Sequence, residues 1–182
     1  MDATDEYLMG QVVRGEAVHL EPLVRRHAAP LLTFLTRMLG NHHHAEELFQ
    51  EVFLAVWVKR AQYQYPRPFR PWLYTIALNR FRAVRRLKTP RPLALIDEGP
   101  GTDFAPDGGL LAAETAQQIN EAVTSLPEQQ RAVVVLRVWH EMPYADIAEM
   151  VGCSEATARS HMHHALAALR ARLCDLTPGE RT

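Results

Sequence analysis

Apolar side chains recur at intervals of three and four along most of this chain, and that spacing admits one kind of secondary structure. Leu20, Leu23, Val24, Leu31, Leu32, Leu35 and Leu39 follow it and stop at Gly40-Asn41, a combination that ends helices. Pro30 interrupts the pattern and predicts a kink or break near Ala29, because the residue before a proline is pushed out of helical geometry. A second helix is expected over residues 45–60 and a third over 71–88. The stretch YQYPRPFRP lies between them, and its three prolines predict a stiff, extended loop. Neither alternating strands nor an internal repeat is visible.

The segment TPRPLALIDEGPGTDFAPDGGLL holds four prolines and four glycines in acidic surroundings and reads as a linker. A separate helical cluster follows, with one helix over 112–124 and a second opened by SLPEQQ. There Ser125 and Glu128 have capping-box spacing, and Pro127 suits a first turn. The expected fold is all-α: two small helical domains joined by a flexible acidic linker. The divisions fall at 1–89, 90–111 for the linker, 112–176, and a tail at 177–182.

Composition narrows the function. A chain of 182 residues, 47% hydrophobic and 23% charged, is globular. It has no run of apolar residues long enough for a transmembrane helix. The acidic start MDATDEYLMG lacks the features of a signal peptide, and two cysteines are too few for a disulfide framework, so a reducing cytoplasm is expected. The formal net charge of −1 conceals segregation: residues 59–91 carry ten of the twenty Lys and Arg and no acid. Residues 92–130 carry seven acids and no Lys or Arg. A polyanion-binding face accounts for such asymmetry.

The last third carries a helix-turn-helix pattern. A short helix bearing Ala145, Ile147, Ala148 and Val151 ends at Gly152, which can take positive φ. Ser154 can cap a second helix with an apolar face of Ala158, Met162, Ala165, Leu166, Leu169 and Leu173. In this motif the start of the second helix enters the major groove. The outward residues Glu155, Ala156, Thr157, Arg159, Ser160 and His163 are therefore the candidates for reading bases.

The basic stretch suggests a different substrate. Arg80, Arg82, Arg85, Arg86 and Lys88 follow Asn79 on one helix, a strip suited to phosphate, while Tyr63, Tyr65 and Phe69 crowd the proline-rich loop. Cations that track a backbone, next to rings that stack on bases, suit an unpaired strand; stacking contributes about 1–3 kcal/mol per base. Trp72 and Ile76 are assigned instead to the helix core. On the second helix, Glu47, Gln50, Glu51, Phe53 and Trp57 mix polar and aromatic residues beside a core stripe of Leu48, Val52 and Ala55, which describes a protein-binding face.

Taken in order, HAEELFQEVFLAVW, PFRPWLYTIALNRFRAVRR and LPEQQRAVVVLRVWHEMPYADIAEMVGCSEATARSHMHHALAALR resemble bacterial sigma factors of the extracytoplasmic-function (ECF) group. The resemblance runs from about Leu20 to Leu173. It implies that the first domain binds core RNA polymerase and captures flipped non-template bases of the −10 promoter element. Tyr63, Tyr65, Phe69, Asn79, Arg80, Arg82, Arg85 and Arg86 would carry that capture, with Asn79 at the family's pocket position. It implies that the second domain reads the −35 element, that the acidic tether threads the polymerase cleft, and that an anti-sigma factor is a further partner. Departures from the family pattern are Ala83 for an acid, Leu78 for a base, Ala158 for Val, and His161 and His164 for Arg, which lower the recognition helix's positive charge. Pro143 stands where a Ser-type cap is usual.

Other classes fit less well. A two-domain regulator binding duplex DNA shares the C-terminal pattern but has no need of a basic aromatic loop. Nine histidines include His42, His43 and His44 in a row, read as a solvated loop, and His161 and His164 one turn apart. No Cys or carboxylate completes a metal site with them, no cofactor motif is visible, and no nucleophile elbow or phosphate loop points to catalysis.

Overall fold

A computed structural model of the chain describes residues 3–87 and 109–176. Among the described residues eight α-helices form two small units, and there is no strand. The first unit contains α1 (Asp5–Val13), α2 (Leu20–Leu39), α3 (His42–Val58) and α4 (Phe69–Leu87). The second contains α5 (Gly109–Thr124), α6 (Glu128–Val138), α7 (Tyr144–Val151) and α8 (Glu155–Leu176). Most of the expected linker, 90–108, lies outside the described residues, as does the 177–182 tail; residues 109–111 already belong to α5.

Helix α1 has no counterpart among the sequence expectations. Thr4 caps it by accepting from the Tyr7 amide at 3.2 Å, Asp5 and Glu6 favour its N-terminal dipole, and Leu8, Met9 and Val12 are buried. Helix α2 runs unbroken through Pro30, so of the expected kink or break the break does not occur. Pro30 is exposed, while Leu23, His27, Leu31, Phe34, Leu35 and Met38 bury the opposite face and hold the helix together across the missing hydrogen bond. Gly40 ends α2 at φ 74, and a Cβ there would lie 2.9 Å from Thr124 Cγ2, so glycine serves both the turn and the approach of α5. His42, His43 and His44 form the first turn of α3 rather than a loop, because Asn41 accepts from the His44 amide at 3.0 Å and starts the helix there.

The two units share one hydrophobic core. Tyr74 and His140 share a buried hydrogen bond at 3.0 Å, with Phe34 edge-on to both rings, and Arg70 donates to the His140 carbonyl at 2.6 Å. Burial, then the nearby Arg70 and Arg37, pushes His140 down to about 4, so its imidazole is neutral at neutral pH. Arg37 stacks on Trp139 at 4.0 Å, and Arg131 reaches from α6 to the Met38 carbonyl at the end of α2. The capping box at Ser125 and Glu128 does not form. Ser125 donates to the Ala122 carbonyl, and the Glu128 carboxylate turns to Arg82 of the first unit.

Candidate nucleic-acid interface

Loop 63–68 is held by its aromatic residues. The Tyr63 hydroxyl donates to the Arg67 carbonyl, and the Tyr63 ring meets Trp72 at 5.3 Å and Phe69 at 6.3 Å. Burial, with the nearby Glu6, Tyr65 and Asp5, pushes the Tyr63 hydroxyl up to about 12, so it keeps its proton. Phe69 is wholly buried and opens α4. The expectation that Tyr63 and Phe69 stack on bases therefore does not match their placement: a loop with no backbone ladder needs rings to anchor it, and these two are the anchors. Tyr65, at 66% exposed, is the one that faces solvent. Ile76 is buried as expected, and Trp72 is half-buried within the ring cluster.

Helix α4 buries Leu73, Tyr74, Ala77, Leu78 and Phe81, which leaves Asn79, Ala83 and Arg86 exposed along one face, spaced by four and three. Arg80 is half-buried. Arg82 and Arg85 face the second unit: Arg82 Nε donates to Glu128 Oε1 at 3.0 Å and Arg82 Nη2 to the Val151 carbonyl at 3.2 Å, while Arg85 lies 3.5 Å from Glu128 Oε2. A cleft of about 840 Å³ opens here, lined by Arg82, Arg85, Arg86, Glu128, Gln129 and Val151.

The helix-turn-helix forms where the spacing placed it. Helix α7 ends at Gly152 with φ 81, and Ser154 Oγ accepts from the Thr157 amide at 3.1 Å to start α8. Ile147, Ala148 and Val151 are buried as expected, whereas Ala145 is exposed. Ala158 and Ala165 bury the inner face of α8; Met162, Leu166, Leu169 and Leu173 are half-buried. Glu155, Ala156, Thr157, Arg159, Ser160 and His163 are all exposed. Arg159 pairs with Glu155 at 2.5 Å and lies over the Tyr144 ring at 4.5 Å, so the guanidinium is held near the start of the helix. On the expectation from the sequence that the start of α8 reads the −35 element, Arg159→Ala should relax preference at one base pair by about 1–3 kcal/mol, read by selection from a randomised −35 library. Selection of the wild-type motif by the variant would make Arg159 a phosphate contact.

On α3, Glu47, Gln50 and Glu51 are exposed, and Trp57 is half-buried beneath Arg60. Phe53 is 7% exposed and belongs to the core, not to the outer face. Leu54 and Val58, 63% and 66% exposed, take the outward place. They extend the polar strip by the helical spacing 47, 50, 54, 58, a signal present in the sequence but masked by the apolar run around it. Among the described residues no three His, Cys, Asp or Glu side chains come together in a group that could hold a metal.

Comparison with known proteins places these two units. Residues 23–89 match the family model for Sigma-70 region 2, and residues 116–169 match that for Sigma-70, region 4. An ECF RNA polymerase sigma factor of Mycobacterium tuberculosis, SigL, is 32% identical over 171 residues, covering 89% of this chain and 93% of that protein. SigW of Bacillus subtilis, also an ECF RNA polymerase sigma factor, is 28% identical over 179 residues, covering 91% and 95%. The sigma factor RpoE of Bartonella quintana, solved in complex with the anti-sigma factor NepR, shares the fold with a TM-score of 0.71 at 24% identity, covering 84% of this chain and 95% of that one. A region 2 unit followed by a region 4 helix-turn-helix unit defines an RNA polymerase sigma factor. Within that class, the chain belongs to the ECF group.

Proposed function

We propose that this sigma factor acts in the cytoplasm, where it joins core RNA polymerase through the outer face of α3 and directs it to promoters. Residues 1–89 hold the unit that captures the opened −10 strand, 109–176 the unit that reads the −35 element, and 90–108 join them. The observation that carries this reading is the exposed line of Asn79, Ala83 and Arg86 on α4, beside a loop that offers Tyr65 to solvent. A base extruded from the duplex costs a few kcal/mol, which hydrogen bonding by a side-chain amide and stacking on an exposed ring offset. Arg80 and Arg86 follow the phosphates. Arg82 and Arg85 join them when Glu128 is released. Chemistry belongs to the polymerase; this chain supplies recognition. An anti-sigma factor, as in the Bartonella complex, is the expected negative partner.

The α3 face is Glu47, Gln50 and Glu51 with Leu54 and Val58, and Trp57 at its edge. Gln50→Ala combined with Leu54→Ala is expected to weaken binding to core polymerase about tenfold or more while the helical circular dichroism signal stays unchanged. Wild-type affinity in a titration against core would overturn the assignment of this face.

A further inference from the structure

Helix α1 begins ahead of the segment matched to region 2, yet it touches the loop assigned above to strand capture and the helix start that follows it. Glu6 Oε1 accepts from the Phe69 amide at 3.2 Å, and Phe69 is the first residue of α4. That amide is one of the four at a helix start with no partner inside the helix, and a carboxylate is the acceptor its dipole favours. One residue earlier, Asp5 meets Arg26 at 2.8 Å and His27 Nε2 at 2.7 Å. His27 is buried and places its ring edge-on to Phe69 at 5.3 Å. One turn further along α1, a Cβ at Gly10 would lie 3.7 Å from Tyr65 Cδ2, so the exposed Tyr65 ring lies along the α1 surface.

These contacts converge on a segment with few backbone hydrogen bonds of its own. Within 63–68 the fixed bonds are the Arg67 amide to the Gln64 carbonyl at 2.8 Å and the Tyr63 hydroxyl to the Arg67 carbonyl. The rings of Tyr63, Phe69 and Trp72 anchor this segment to the start of α4, and what remains to be fixed is that start relative to the surface on which Tyr65 lies. Helix α1 supplies that surface and touches that start. We propose that α1 is a positioning element for −10 strand capture and that Glu6 is its positioning residue, fixing the start of α4 against the surface on which Tyr65 lies. The inference rests on the reading of Tyr65 and Asn79 as the capture site.

The test uses the full chain with core polymerase on promoters carrying a premelted −10 bubble, comparing affinities for different non-template bases. Glu6→Ala is expected to lower that discrimination by about three- to tenfold, the range a lost helix cap represents. Glu6→Gln keeps an acceptor oxygen and should stay within about twofold of wild type. Asn41→Ala removes a cap of the same kind from α3, so it controls for general loss of stability and should leave discrimination unchanged. Wild-type discrimination by Glu6→Ala, or an equal loss in Asn41→Ala, would overturn the proposal. Asn79→Ala in the same assay separates the two levels. If it too reads bases like wild type, the capture reading fails and the inference falls with it. If Asn79→Ala loses discrimination and Glu6→Ala does not, the role of α1 alone is wrong.

Discussion

Phe69→Ala is expected to destabilise the protein by about 3–5 kcal/mol, measured by urea unfolding. The ring is wholly buried, with His27 at 5.3 Å, Trp72 at 6.1 Å and Tyr63 at 6.3 Å, so its removal leaves a cavity among rigid neighbours that cannot close over it. Phe69 also opens α4 and anchors loop 63–68, so the loss reaches the face that carries Asn79. Tyr65→Ala sits on the same loop, but its ring is largely in solvent, and the change should stay within about 0.5 kcal/mol. The pair separates two roles that proline-rich aromatic stretches combine. If Phe69→Ala were as stable as Tyr65→Ala, the aromatic cluster would not be what holds the loop.

The second large effect falls between the two units. Arg131 of α6 donates to the Met38 carbonyl at the end of α2 and to the Thr124 and Leu126 carbonyls ahead of its own helix. Burial pushes the guanidinium down to about 10, with Arg85 adding to the shift and Glu128 opposing it, so it remains a cation at neutral pH. Arg131→Met keeps most of the stem and removes the donors, leaving three carbonyls to find other partners. The expected cost is about 2–4 kcal/mol, since each unsatisfied buried acceptor costs about 1–3 kcal/mol and part is recovered by water. It stays at the lower end of the sum because Nε of Arg131 is already buried without a partner. Thermal unfolding should change from one transition toward two as the units uncouple. A single transition at the wild-type midpoint would show that Arg131 does not staple them.

The helix ends were the most legible part of this fold. Gly40, Gly152 and Ser154 act where the sequence placed them, because left-handed φ and side-chain capping are properties of single residues. Whether Pro30 breaks its helix depends on what that helix buries on the far side, and that is tertiary. Phe53 and Leu54 differ by one position, about 100° around the helix, and the apolar run around them hid which one faced inward. Tyr63 and Tyr65 lie where no period operates, and Phe69 joins the buried stripe of α4 only if the helix starts before Pro71, so the sequence could not divide anchors from displayed rings. Helix α1 is short, and only its contacts with α2 and α4 explain its place. Glu128 had the spacing of a local cap and instead bonds Arg82, forty-six positions away in sequence.

Run-off transcription by core polymerase, on a promoter identified by sequencing transcripts after overexpression, tests the proposed mechanism most directly. The wild-type protein should support initiation from the duplex promoter and from the same promoter with its −10 segment premelted. Asn79→Ala should open the duplex at least about tenfold more slowly, a modest share of the few kcal/mol that an extruded base costs. Its closed complex should form nearly as well, since a pocket for a flipped base has nothing to hold until the strands part. On the premelted template the variant should initiate but lose discrimination among non-template bases. Opening at the wild-type rate, together with wild-type base discrimination on the bubble, would contradict strand capture at α4.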